Sequence, residues 1–213
     1  MDGSFVEARS SCDPEAIAAR EADINGQPQR IAPLAPEELG PDFQALVERI
    51  HGSIGLTTPP VIDDYFRTIA KHPGIFRNQL ETGTTLFTGR LPPRERELAV
   101  LRIGWLLRAP YEWGEHVKIA KRYGVQPQDI ERVIEGAAAG GWSEHETAIL
   151  RAVDELLAHQ AMSDAVWATL AKTWDEPQLI EFLAMVGHYV ATAMLQNALR
   201  VRLTEENPGL TRR

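Results

Sequence analysis

The apolar positions of this chain recur at helical spacing along most of its length. "PDFQALVERIHGSIG" reads as a short amphipathic helix ending near Gly52. "PPVIDDYFRTIAKHPG" puts Val61, Ile62, Tyr65, Phe66 and Ile69 in helical register. It stops at His72-Pro73, because a residue that precedes proline resists the helical region. "GIFRNQLETGTTLFTG" is a further helix, weakened by Gly83 and the threonines. Leu91-Pro92-Pro93 opens "RERELAVLRIGWLLR", the longest apolar stretch before residue 170. Ala109-Pro110 breaks that stretch and starts the next helix, "PYEWGEHVKIAKRYG", since proline suits a first helical position. A short helix, "QPQDIERVIEG", follows. Ser143 and Glu146 then form a capping-box signature for "SEHETAILRAVDELLA". Ser163 caps "SDAVWATLAKTW", and Asp175 with Gln178 opens the final segment. No run of alternating strands and no convincing hairpin is present, so the pattern predicts an all-α fold.

The final segment changes that picture in one respect. Leu179, Ile180, Phe182, Leu183, Met185, Val186, Val190, Met194, Leu195, Leu199 and Val201 cover most of its circumference. A helix apolar on nearly all sides must be buried on nearly all sides. It is therefore expected to be a central helix or a subunit interface, with residues 176–203 covered in part by another copy in a homo-oligomer. At the other end, residues 1–40 are rich in proline, alanine and charge, with weak periodicity. They read as a leader: one short helix near Pro14–Ala22, then an extended arm, "NGQPQRIAPLAPEELGP". Residues 41–213 read as the helical domain.

Composition narrows the function classes. The chain has 213 residues, 44% of them hydrophobic, enough for a sizeable core. Its formal net charge of -8 argues against nucleic acid and against an anionic membrane, both of which need a basic patch. No apolar run approaches the roughly 18 residues of a membrane span, and the N-terminus lacks a basic start followed by an apolar block. The single cysteine, Cys12, lies in the polar leader, and no C-x-x-C occurs. A reducing cytoplasm is the expected compartment, and thiol redox chemistry within one chain is nearly excluded.

Three residues stand out against the apolar helices. Glu97 follows Arg94, Glu95 and Arg96, which on its own reads as a solvated charge run. Yet Val100 and Leu101, three and four residues on, place it on an apolar face. A carboxylate there must be paired or partly protonated. Glu112 falls in the first turn of the next helix, where it complements the helix dipole. His116 lies four residues on, and an exposed pair at that spacing is worth only about 0.2–0.5 kcal/mol. By spacing alone, the structural reading of all three stands ahead of a catalytic one. His188, inside the most apolar helix, is either a core histidine or a wall of the same pocket. No H-E-x-x-H, Cys/His cluster, G-x-G-x-x-G, P-loop or Ser or Cys nucleophile signature is present, so no metal and no cofactor are expected.

Glu97 followed by "APYEWGEH" resembles the carboxymuconolactone decarboxylase family, which includes the alkylhydroperoxidase D-like (AhpD-like) proteins. The peroxidase branch carries Glu, eleven residues, then Cys-x-x-Cys-x-x-x-His. In this register Glu97 takes the glutamate position, Ala109 and Glu112 the two cysteine positions, and His116 the histidine. Both thiols are gone, and Glu112-Trp113-Gly114-Glu115-His116 looks like the decarboxylase branch. The similarity runs from about Asp64 to Leu203. It implies an all-α AhpD-like bundle that assembles as dimers, trimers or hexamers, with a pocket between Glu97 and the Glu112–His116 helix. It implies a cofactor-independent lyase acting by proton transfer on a small carboxylated or lactone-type substrate. His116, with an ordinary pKa near about 6.5, would move the proton, Glu112 would orient it, and Glu97 would be a second proton-transfer group or fix the tautomer. Arg102 or Arg108 would meet a substrate carboxylate unless solvated, and Tyr111 and Trp113 would wall the site or pack. The competing expectation is a non-catalytic helical oligomer that binds a small ligand or a protein partner. A thiol peroxidase or disulfide reductase is disfavoured.

Overall fold

The computed structural model describes Val6, residues 12–53 and residues 62–211. The expectations for Val61 and for the leader before Cys12, Val6 aside, lie outside the described residues. The helices are α1 (Pro14–Asn25), α2 (Pro41–Ser53), α3 (Asp64–Ile69), α4 (Pro73–Phe87), α5 (Pro93–Leu106), α6 (Pro110–Arg122), α7 (Pro127–Glu135), α8 (Glu144–His159), α9 (Asp164–Leu170) and α10 (Glu176–Leu199). Two short 3-10 turns, Pro36–Glu38 and Gly136–Ala138, join them. No strand occurs among the described residues, so the fold is all-α.

The boundaries follow local chemistry. Proline occupies the first or second helical position of α1, α4, α5, α6, α7 and α10. There its missing N–H costs nothing and its fixed φ suits the helix. Ser143 and Glu146 close the capping box of α8, and Asp175 and Gln178 that of α10. The Ser163 hydroxyl accepts the Val166 N–H at the start of α9.

The central helix is α5, not the last one. Every residue from Arg96 to Leu106 is buried. Four helices surround it: α6, α7, α8 and α10. Its contact with α6 depends on Gly104, where a Cβ would lie 3.3 Å from the backbone of Trp113. Arg108, with φ of 49°, then turns the chain sharply so that Pro110 can start α6 back along α5.

Within one chain α10 is buried on one face only. Leu179, Phe182, Met185, Val186, Tyr189 and Ala193 face the core, but Ile180 and Met194 are 67% and 59% exposed. Leu183 lies on the same exposed side. One chain has enough neighbours to cover only one face of a helix on its outside. By length and composition alone α10 is also apolar enough to cross a membrane, which corrects the expectation that no segment is. Its inward face is committed to the core, and its first turn is capped by Asp175.

The leader helix extends to Asn25 and packs on α6. Ile17 is buried beside Trp113, Val117 and Leu210. Glu21 accepts the backbone N–H groups of Leu210 and Thr211, and Asn25 donates to the Val201 carbonyl. The arm thus clasps the C-terminal segment. Beneath it α2, α3 and α4 form a smaller core in which Phe43 stacks on Phe76 with 4.5 Å between ring centroids.

Candidate active site

Pairing of α5 with α6 brings Glu97 and His116 together across 19 positions of sequence. His116 Nδ1 lies 2.7 Å from Glu97 Oε2, and Nε2 lies 3.3 Å from Glu112 Oε1. Glu97 is wholly buried. Its other oxygen, Oε1, accepts the Arg96 Nε–H at 2.9 Å. Arg96 also donates to the Phe87 carbonyl at 2.7 Å, and its guanidinium stacks on the Phe87 ring at 4.3 Å. Two cations and two carboxylates therefore alternate: Arg96, Glu97, His116, Glu112. Burying such groups singly would be prohibitive, and the alternation offsets it.

This row sets the charge of His116. Burial works against its cation, but the carboxylates of Glu97 and Glu112 outweigh burial, and its pKa is pushed up to about 10. At neutral pH His116 is an imidazolium with both N–H groups directed at carboxylates. The expectation of an imidazole poised near 6.5 is corrected accordingly. Such a ring has no lone pair for a metal. Among the described residues no three His, Cys, Asp or Glu side chains are placed to hold one.

Glu112 and His116 open onto a cavity of about 350 Å³. Glu97 sits behind them and does not line it. The walls are mostly apolar, among them Val47, Phe66, Leu80, Phe87 and Ile119. Tyr189 stands between two histidines, with its ring centroid 5.0 Å from that of His116 and 5.4 Å from that of His188, edge-on to both. Burial, reinforced by the charges of Glu97 and Glu112, holds its phenol well above the ordinary tyrosine range. His188 lines the cavity, and burial pushes its pKa down against the weaker pull of Glu112. The two histidines are thus shifted in opposite directions. At the cavity edge Tyr111 donates to Asp63 at 2.9 Å. Burial raises the Asp63 pKa despite that bond.

Of the sequence candidates, Glu112, His116, Tyr111 and His188 meet at the cavity, and Glu97 backs them. Arg102 and Trp113 do not. Arg102 lies on the far side of α5, donating to Asp154 at 2.7 Å and to the Val133 and Ile134 carbonyls, so the substrate-binding expectation for it is corrected. Trp113 packs tilted against Trp105 with 5.0 Å between centroids, away from the cavity. Arg108 stacks on Trp105 at 4.5 Å. Sequence reading passed over Arg96, Tyr189 and Asp63. Arg96 had a signal, since Val100 and Ile103 lie four and seven residues on, the same test that drew attention to Glu97. Tyr189 and Asp63 had none.

Residues 73–155 match the model of the carboxymuconolactone decarboxylase family. A comparison with curated proteins found no match. Among solved structures, a peroxidase-related protein of the AhpD core from Ralstonia eutropha superposes with a TM-score of 0.71 at 18% identity, covering 84% of this chain and 95% of that one. A peroxidase-related protein from Silicibacter gives 0.69 at 14% identity, covering 85% and 94%. A debrominase variant solved with 2,3,4-tribromopyrrole gives 0.67 at 17% identity, covering 85% and 95%. The matched segment contains Arg96, Glu97, Glu112 and His116, and over that segment the chain is similar to the carboxymuconolactone decarboxylase family, while its fold is all-helical and AhpD-like.

Proposed function

We propose that this protein is a cofactor-independent enzyme that moves a proton to or from carbon on a small cyclic, lactone- or ketone-type substrate. The observation that carries this reading is the row Arg96–Glu97–His116–Glu112, which ends on the wall of a mostly apolar cavity. Glu112 is its outermost carboxylate. It takes a proton from the carbon beside a carbonyl, and the C–H electron pair passes into an enolate. The same group then returns the proton to that carbon or to a conjugated one. Electrons and atoms balance without an oxidant. His116, held as a cation by Glu97, keeps Glu112 oriented and compensates its charge. Positioned acid–base catalysis of this kind contributes about 10²–10⁴-fold.

The family resemblance also suggests decarboxylation, but the cavity favours other proton transfers. No lysine or arginine lines it among the described residues, and His116 is already engaged by two carboxylates. Thiol chemistry finds no support at the site either. Ala109 and Glu112 stand at the positions of the peroxidase cysteines, and Cys12 lies exposed before α1. The exposed Ile180, Leu183 and Met194 face of α10 suits a second copy of the chain, and the cytoplasm suits a protein with one cysteine.

The test is hydrogen exchange. Small cyclic ketones and lactones are incubated with the protein in D2O, and loss of the α-proton signal is followed by NMR. The wild type and Cys12→Ser should accelerate exchange equally, and Glu112→Gln should lose about 10²-fold or more. Equal exchange in wild type and Glu112→Gln, or loss in Cys12→Ser, would overturn the proposal.

A further inference from the structure

The proton-transfer reading asks for a small carbonyl compound but leaves open its charge and what holds its carbonyl oxygen, and the His188 side of the cavity bears on both. His188 projects from α10 onto the cavity, and neither ring nitrogen makes a hydrogen bond among the described residues. Gly83 of α4 leaves it room: a Cβ there would lie 3.5 Å from His188 Nε2. Tyr189 fills the space between His188 and His116, so a molecule lying against the Tyr189 ring meets one histidine on each side.

The charges around this space are already balanced or negative. Glu115, also on the wall, pairs with Lys118 at 2.8 Å and accepts from Asn207 and Thr204. Arg96 is spent on Glu97, and His116 on Glu97 and Glu112. Asp63 has a tyrosine for its partner, not a cation. A carboxylate entering here would be desolvated among apolar walls with no cation to receive it, and with acidic groups beside it. A neutral molecule escapes that cost. An uncharged imidazole supplies one N–H donor without adding charge, which suits a carbonyl oxygen and suits an enolate better still.

We infer that the cavity binds an uncharged, ring-sized carbonyl compound, with the carbonyl oxygen held by the His188 N–H across Tyr189 from the Glu112–His116 pair. This inference rests on the proton-transfer reading for its catalytic meaning, but binding can be tested without turnover. His188 then acts as a specificity-determining residue that also receives the negative charge forming on oxygen. Burial keeps it neutral, with Glu112 the one charged group that opposes this.

Three probes with one ring and different substituents make the test: acetophenone, ethylbenzene and benzoate, titrated into the full chain near pH 7.5 by calorimetry or saturation-transfer NMR. Acetophenone should bind about three- to tenfold more tightly than ethylbenzene, the value of one neutral hydrogen bond. Benzoate should bind on the order of tenfold or more weakly than acetophenone. His188→Leu should bring acetophenone down to the level of ethylbenzene and leave ethylbenzene unchanged. His188→Gln, which keeps an N–H donor, should restore part of the difference. Benzoate binding as tightly as acetophenone, no acetophenone binding at millimolar concentration, or an equal loss of both neutral probes in His188→Leu would each overturn the inference. If the order of binding holds but α-proton exchange is absent, the substrate class stands and the proton-transfer reading falls.

Discussion

The charge on His116 has a consequence for stability that can be measured without a substrate. Its pKa is pushed up to about 10 in the folded protein by Glu97 and Glu112, against burial, while an unfolded histidine titrates near about 6.5. A raised folded value means that the stabilising contribution is complete below about 6.5 and is lost as pH rises toward about 10. Between those limits the native state holds one proton that the unfolded state has released. Stability should therefore fall by up to about 1.4 kcal/mol per pH unit, roughly 2.5 kcal/mol from pH 7 to pH 9, because the unfolded histidine is still partly protonated at pH 7. The reference must be chosen with care. His116→Gln alone would leave Glu97 and Glu112 facing each other without their shared cation, and a carboxyl that took up a proton would reproduce the slope. The double variant His116→Gln, Glu112→Gln leaves Glu97 paired with Arg96 at 2.9 Å, so it should lack the proton linkage. Urea denaturation of both proteins at pH 7, 8 and 9, at one protein concentration, gives the comparison. The window avoids the buried tyrosines Tyr65, Tyr111 and Tyr189, whose raised pKa values matter only at higher pH. The difference in stability between the two proteins should shrink steadily across it. Parallel curves would mean that native His116 is already neutral at pH 7, and the alternating row of charges would have to be abandoned.

Two further outcomes separate structural from functional roles. Arg102→Met removes the partner of Asp154 and two hydrogen bonds to carbonyls in the last turn of α7, so it should cost about 3–5 kcal/mol in urea denaturation. It should leave acetophenone affinity unchanged, and a selective loss of binding would return Arg102 to the site. Ile180→Glu combined with Met194→Glu places charge on the exposed face of α10. Sedimentation should show wild-type oligomers breaking down in this variant with the helix content intact, and a wild-type monomer at micromolar concentration would remove that face as an interface.

Short-range signals in this chain were enough to predict its helices. Proline at first-turn positions, Ser143 with Glu146, and Asp175 with Gln178 act through bonds within one turn, so their meaning does not depend on what packs outside. The same holds for Glu112 and His116, whose four-residue spacing puts them on one face of α6 wherever that helix docks. Glu97 became legible through its apolar neighbours and the family motif. Packing decided the rest. Apolarity all round α10 suggested a central helix or a subunit interface, and within one chain it is α5 that takes the centre, with Arg96, Glu97 and Arg102 inside it. Composition counts charges but cannot tell which of them find partners across helices, and these three are tolerated because Glu97 pairs with Arg96 and His116, and Arg102 with Asp154. The opposite pKa shifts of His116 and His188 have the same origin. One imidazole meets two carboxylates and the other meets mostly apolar wall, and that difference exists only once α5 docks behind α6 and α3, α4, α6 and α10 line a common cavity.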